Sequence, residues 1–364
     1  MKQPWNTKGS VTVVLGGQAG SEGKGKFAGY LAIKDGFRTA VSNFMPNAGH
    51  TWVSDDGEKI MVQQLPQAVV NPMTDLFISA GAAIDINTLM SEMERYNARC
   101  RTYIHPRAMI IEERHKLAEA KSLNRISSTL KGCGHALADK VARNEEVRLA
   151  RDVEELAPWV MDEGAFERAL MDELDLGYDI LVECPQGFDL DINHGLEYPY
   201  CTSRQTTAAQ AIADAGLPPQ VVEEVIAVIR PYPIRVGNAY DSKGNLVGTS
   251  GTYLDAKEIT WEEVARRGGV PREEIHEYTT VTGKLRRVFE MHWDRLRQMV
   301  RVNGVTQIAL NFANYIDYSV TGARDPEQLT DKVRDFIKRI EDETGVPVTL
   351  IGTGPKHSDI IDLR

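Results

Sequence analysis

The spacing of apolar residues changes period as the chain proceeds, and the changes mark out its elements. After a polar stretch over residues 1–10, residues 11–15 (Val-Thr-Val-Val-Leu) form a short β-branched run of the buried-strand type. A glycine-rich stretch from Gly16 to Gly25 follows. A helical pattern then begins near Lys24, with Phe27, Tyr30 and Leu31 on one face. Strand, glycine loop and helix in that order are the layout of a nucleotide-binding α/β domain. Further strands are predicted over 39–44, 180–183, 225–229, 307–310 and 346–351. Leu329, Val333, Phe336 and Ile340 keep helical spacing, and so do Val288, Met291, Leu296 and Met299. The acidic stretch 151–175, with Val153, Leu156, Val160, Phe166 and Leu170 as its apolar positions, reads as a solvated helical pair. No repeat, low-complexity segment or linker divides the chain. The expectation is one domain over 1–364, residues 1–10 being a polar tail. Its class is α/β, with a mostly parallel central sheet, flanking helices and helical insertions.

Composition narrows the functional classes. The 364 residues are 42% hydrophobic and 26% charged, which suits a globular chain with a sizeable core. A net charge of −10 excludes a sequence-wide basic footprint for nucleic acid, although a local group of Lys and Arg could still hold a nucleotide. Cys100, Cys133, Cys184 and Cys201 make no CxxC pair and no zinc-ligand spacing, so they read as reduced, packed thiols. The first residues lack the apolar core of a signal peptide, and no apolar run is long enough to cross a bilayer. These features predict a soluble, cytoplasmic protein with neither nucleic acid nor membrane as a partner.

The chemistry concentrates in residues 16–26 (Gly-Gly-Gln-Ala-Gly-Ser-Glu-Gly-Lys-Gly-Lys). Five glycines let backbone N–H groups turn inward around a phosphate, and the following helix N-terminus adds its positive end. Lys24 and Lys26 can add point charge at the β- and γ-phosphates. The loop is not a Walker A sequence, because five residues separate Gly17 from Gly23 and Gly25 stands where Ser or Thr would follow the lysine. A bare glycine turn is the competing reading; a strand before, a helix after and two lysines within favour phosphate. Downstream, residues 47–51 (Asn-Ala-Gly-His-Thr) place His50 where it could act as an acid or electrostatic donor. Alone, such a histidine is more often a cap or a core residue.

With both segments in order, the chain resembles adenylosuccinate synthetase, whose loop and Asn-Ala-Gly-His-Thr segment they match. The resemblance continues through residues 127–134 with 139–143, 183–187, 191–195 and 198–203, then 235–237, 279–287 and 352–355. It implies a P-loop-like, GTPase-related fold and a two-step ligase reaction. The γ-phosphate moves to the 6-oxygen of a purine monophosphate, and the amine of L-aspartate then displaces it. Implied catalytic groups are Ser21, Lys24, His50 and Gln186. The purine nucleotide would meet Ser21, Asn47, Ser128, Thr129, Gln186, Thr202, Val236 and Gly237, with Arg143 reaching across from the second subunit of a homodimer. The triphosphate would meet Gly20, Glu22, Gly23, Lys24, Gly25, Lys26, Gly49, His50, Thr51, Asn311, Asn314, Gly352, Thr353, Gly354 and Pro355. Thr280, Val281, Thr282, Lys284 and Arg286 would grip aspartate, since Arg offers carboxylates a planar fork. Ser21 and Gly49 would help to hold Mg²⁺.

Three departures bear on the substrate. The family carries a general-base aspartate immediately before the loop glutamate, and Ser21 stands there instead. A smaller side chain leaves room beside N1 for a 2-amino group, which guanine has and hypoxanthine lacks. That pattern resembles the phage-type branch of the family, the N6-succino-2-amino-2'-deoxyadenylate synthases, which act on dGMP in the 2-aminoadenine pathway. The family's guanine-reading acid is replaced by Asn314, an amide that donates as well as accepts, which points to ATP or dATP as the donor. Lys284 replaces the first arginine of the aspartate loop, compatible with a deoxyribose. The competing readings are a ligase acting on IMP with GTP, and a nucleotide-binding regulator without catalysis.

Overall fold

The computed structural model describes residues 5–122, 126, 128–271, 275–278, 283 and 285–364. Nine strands form its main sheet: β1 (Val11–Gly16), β2 (Thr39–Ser42), β3 (Asp75–Ile78), β4 (Thr102–Ile104), β5 (Ile180–Glu183), β6 (Val222–Ile229), β7 (Gln307–Leu310), β8 (Val348–Gly352) and β9 (Ile360–Asp362). Their spatial order is β9-β8-β7-β6-β1-β5-β2-β3-β4. Every pairing is parallel except β8 with β9. The class expected from the sequence is therefore the one observed.

The strands are nearly continuous in apolar residues because both faces of the sheet are covered. Along β1 the side chains alternate between two cores. Val11, Val13 and Leu15 join one cluster with helices Ala165–Leu176, Ala208–Ala215, Trp293–Asn303 and Asp331–Thr344. Val14 joins the other, with α1 (Lys24–Lys34) and helix Ile86–Arg95. Connections leave the carboxyl ends of β1, β2, β5 and β6 on one edge, where open α/β sheets bind ligands. A three-stranded antiparallel sheet, Ile234–Arg235, Arg287–Phe289 and Glu258–Ile259, lies in the segment that follows β6.

Two expectations need correction. Val288 belongs to that small sheet, and the helix carrying Leu296 and Met299 begins only at Trp293. The stretch 151–175 is not a solvated helical pair. It holds two 3-10 turns and one helix, and Val153, Leu156, Phe166 and Leu170 are all buried. Its acidic residues decorate a face whose other side closes the core. Among the described residues, no helix is long and apolar enough to cross a membrane.

Candidate active site

The loop after β1 is shaped from within by a carboxylate. Glu22 is wholly buried, and its Oε1 accepts from the backbone N–H groups of Gln18 (3.1 Å) and Gly20 (2.7 Å). Its Oε2 faces Lys24 Nζ at 3.3 Å, and the same ammonium donates to the carbonyl of Gln186. Gly16 must be glycine here: a Cβ would sit 2.6 Å from the Gln186 carbonyl oxygen and 2.6 Å from Glu22 Oε2. Ser21 (φ 58°) and Gln186 (φ 54°) both occupy the left-handed region, an arrangement costing about 1–3 kcal/mol per residue that surroundings must offset. Each has its carbonyl held by a cation, Ser21 by Arg230 Nη1 at 3.1 Å and Gln186 by Lys24.

His50 opens the short strand His50–Val53. Its Nδ1 lies 2.6 Å from Glu183 Oε1, at the end of β5, while Glu183 Oε2 accepts from the Gln67 N–H at 2.8 Å. Both side chains are buried. A carboxylate can only accept, so Nδ1 carries the proton in this pair and Nε2 is left to serve a ligand. Beside it, Gln186 Nε2 donates to Asn47 Oδ1 at 3.0 Å.

These groups line one cavity of about 560 Å³, within the range of a small-molecule site. Its walls contain Gly20, Ser21, Gly23, Lys24, Gly25, Asn47, Gly49, His50, Thr51, Ser128, Thr129, Gln186, Thr202, Val236 and Arg286. Fifteen positions singled out from scattered segments of the sequence thus meet in one space. Among the described residues, Glu119 is the only carboxylate in the walls. It accepts from the Ser128 hydroxyl and the Gly132 N–H, so it shapes the 128–134 segment. Cys133 is in the same wall, and burial pushes its thiol far up, leaving it inert.

Other expected ligands lie elsewhere. Glu22 does not face the cavity, because its oxygens collect the loop's own amides. Lys26 is buried with its ammonium on the carbonyls of Gly354 and Asp359, both at 2.7 Å, so it clamps α1 to the chain after β8 and is turned from the phosphate loop. Burial lowers its pKa to about 7, against the attraction of Asp359. Asn311 donates to the Glu22 carbonyl at 2.9 Å and is wedged between two glycines. A Cβ on Gly23 would approach its Nδ2 to 2.2 Å, and one on Gly352 its Oδ1 to 2.2 Å. Thr353 is buried with its hydroxyl on the Ala323 carbonyl at 2.7 Å. Asn314, Gly237, Gly352, Gly354 and Pro355 also stand outside the walls, and Arg143 is exposed at the C-cap of helix Cys133–Ala142. Thr280, Val281, Thr282 and Lys284 lie outside the described residues.

Sequence reading missed Glu183, Glu119, Arg230 and Glu277. For two of them a signal exists: a charged residue closing or following an otherwise apolar parallel strand, as Glu183 does in β5 and Arg230 after β6, sits where such sheets bind ligands. Glu119 and Glu277 carry no pattern of their own and emerge only from tertiary contacts.

The fold and this cavity define the class of an α/β nucleotide-handling enzyme, with a glycine loop and a neighbouring histidine in one cavity wall. The sequence profile of the adenylosuccinate synthetase family matches residues 13–155 and 147–319. Adenylosuccinate synthetase from Methanocaldococcus jannaschii is 37% identical over 362 residues, covering 98% of this chain and 97% of that protein. The Pyrococcus horikoshii enzyme is 37% identical over 359 residues, covering 97% and 98%. Among solved structures, the cyanophage S-2L succinoaminodeoxyadenylate synthetase, bound to dGMP and to dATP as an energy donor, has a TM-score of 0.82 at 31% identity, covering 98% of this chain and 95% of that one. The Plasmodium falciparum adenylosuccinate synthetase has a TM-score of 0.81 at 18% identity and so speaks for the fold alone. The chain belongs to the adenylosuccinate synthetase family. It is a carbon–nitrogen ligase of the type that acts on purine nucleotides with aspartate.

Proposed function

We propose that the enzyme condenses L-aspartate with dGMP, using ATP or dATP, to give succino-2-amino-2'-deoxyadenylate, the nucleoside diphosphate and phosphate. The observation that carries this reading is Ser21. It lines the cavity in the loop position where the family places aspartate, and the only carboxylate in the walls among the described residues, Glu119, accepts from the Ser128 hydroxyl and the Gly132 N–H. The phage neighbour, solved with dGMP and dATP, supports it independently. The runner-up is IMP with GTP, which the archaeal adenylosuccinate synthetases at 37% identity support.

In this reading, the 6-oxygen of the purine lies near Gln186 and receives the γ-phosphoryl group, which converts a poor leaving group into a good one. The protein's task is then positioning and charge stabilisation. His50, with Nδ1 fixed on Glu183, offers Nε2 to the migrating phosphoryl oxygens. Lys24, held on Glu22 and Gln186, adds charge at the same point. Asn47, Ser128, Thr129 and Thr202 hold the monophosphate, and Arg286 takes a carboxylate of aspartate. The amine of aspartate displaces phosphate from C6. Arg143, exposed in its own chain, would complete the nucleotide site of a partner subunit.

Mg²⁺ fits the donor set. Ser21 and Gly49 both line the cavity and can offer a neutral hydroxyl and a carbonyl oxygen, as expected for an ion held largely by triphosphate oxygens and water. No cluster of three His, Cys, Asp or Glu among the described residues offers a dedicated cage. Bound there, the ion would neutralise charge on the triphosphate. The test is aspartate-dependent phosphate release, run on dGMP and IMP with ATP, dATP and GTP, with product mass recorded. Turnover confined to IMP and GTP would overturn the dGMP assignment.

A further inference from the structure

The described residues that flank the segment expected to hold aspartate pair with each other. Tyr278 bridges Leu285, and the Arg286 N–H donates to the Glu277 carbonyl at 2.9 Å. The side chains of the same two residues pair as well, Arg286 Nη1 lying 2.8 Å from Glu277 Oε2. Glu277 does not serve Arg286 alone. Its two oxygens also take both terminal nitrogens of Arg230, a guanidinium with no exposed surface that stacks on Phe312, with 4.3 Å from its central carbon to the ring centre.

Arg230 in turn is bound to the phosphate loop at two points. Its backbone exchanges a reciprocal pair of hydrogen bonds with the Gln18 side chain, both 3.0 Å. Its Nη1 donates to the Ser21 carbonyl at 3.1 Å, one of the bonds that sustain the left-handed backbone there. Burial raises the Glu277 carboxyl, and the charges of Arg230 and Arg286 more than offset this, holding it below its usual range. A buried carboxylate shared by two arginines has a defined charge and a rigid geometry. Removing it leaves both guanidinium groups uncompensated.

We propose that Glu277 is a positioning residue that joins the two substrate sites. It orients Arg286 toward the aspartate carboxylate and, through Arg230, fixes Ser21 beside the purine edge. The inference rests on the aspartate and purine assignments made above. It adds that selectivity at Ser21 depends on a residue that touches neither substrate.

The test compares Glu277→Gln and Arg230→Lys with wild type, after thermal melts establish that each is folded. Glu277→Gln should raise the aspartate KM by about tenfold or more and also change the ratio of kcat/KM between dGMP and IMP. Arg230→Lys keeps a cation for Glu277 but lacks the fork that reaches Ser21 as well. It should change the nucleotide ratio while the aspartate KM stays within about threefold of wild type. Should the glutamine variant not fold, Glu277→Asp retains the charge on a shorter arm that can serve only one arginine. Its aspartate KM should rise by about fivefold. An unchanged aspartate KM in the folded Glu277 variant, or losses confined to kcat in all variants, would overturn the inference. A wild type without aspartate-dependent turnover overturns the functional reading together with it, whereas normal wild-type turnover with unmoved KM values overturns this inference alone.

Discussion

Glu183→Gln isolates the part of the proposed chemistry that the geometry defines most closely. The substitution keeps the volume of a side chain that is 1% exposed and removes its charge. One oxygen remains for the Gln67 N–H, so the amide NH₂ must face His50 Nδ1 and donate to it. The imidazole then carries its proton on Nε2 as a neutral ring, and the imidazolium loses the anion that stabilises it. A hydrogen bond to a charged group contributes about 1.5–3 kcal/mol and a neutral one about 0.5–1.5 kcal/mol. The transition state should therefore lose about 1–1.5 kcal/mol, roughly 5- to 13-fold in kcat. Removing the imidazole by His50→Ala sets the ceiling, on the order of 100- to 1,000-fold for one stabilising donor. The assay is steady-state phosphate release at saturating nucleotide and aspartate, with KM values expected within about threefold of wild type. Since Glu183 acts through His50, the double variant should be no slower than His50→Ala alone. A Glu183→Gln enzyme with wild-type kcat, or a double variant whose losses add, would refute the dyad.

The remaining predictions address specificity, assembly and stability. Ser21→Asp should lower kcat/KM for dGMP relative to IMP by about tenfold or more, and an unmoved ratio would remove the space argument. Arg143→Ala should lower activity by roughly 100-fold. An equal mixture of Arg143→Ala and His50→Ala should recover about a quarter of wild-type activity if subunits exchange into dimers with one intact site each; no recovery would count against a shared site. Lys26 has a folded pKa lowered to about 7, so between pH 7 and its ordinary value the unfolded chain binds the extra proton. Stability must then rise with pH through that window, by up to about 1.4 kcal/mol per pH unit, and Lys26→Met should abolish this component in urea titrations.

Much of this architecture was legible because parallel strands announce themselves. β5 and β7 begin and end where the apolar runs at 180–183 and 307–310 do, and α1 begins at Lys24 as its periodicity requires. Residues 288–299 misled because an apolar strand residue happens to fall in phase with the helix that follows it. The stretch 151–175 misled because its acidic residues outnumber the apolar ones that close the core. At the site, glycine spacing revealed the loop, but not which lysine lines the cavity. Lys24 and Lys26 are two residues apart on a helix, so they face different ways, one to the cavity wall and one to the chain after β8. Asn311 and Thr353 looked like ligands by position, and only packing reveals that the Asn311 amide nitrogen and the Thr353 hydroxyl donate to neighbouring carbonyls.

That distribution of commitments bears on how specificity can change in such a site. Around the phosphate loop almost every polar group already has an internal partner. Gln18 and Gly20 give their N–H groups to Glu22, the Ser21 carbonyl is taken by Arg230, Gly23 packs against Asn311, and Lys24 is shared between Glu22 and Gln186. None of these contacts involves the side chain of Ser21. The backbone there is held in an unfavourable conformation by its carbonyl, so the identity of the side chain can vary without releasing the loop. An aspartate would contribute a charge and a base at that point, a serine contributes space, and the loop that carries either is the same. In the proposed reading, specificity for the purine edge can therefore change with one residue while the internal contacts of the loop stay in place.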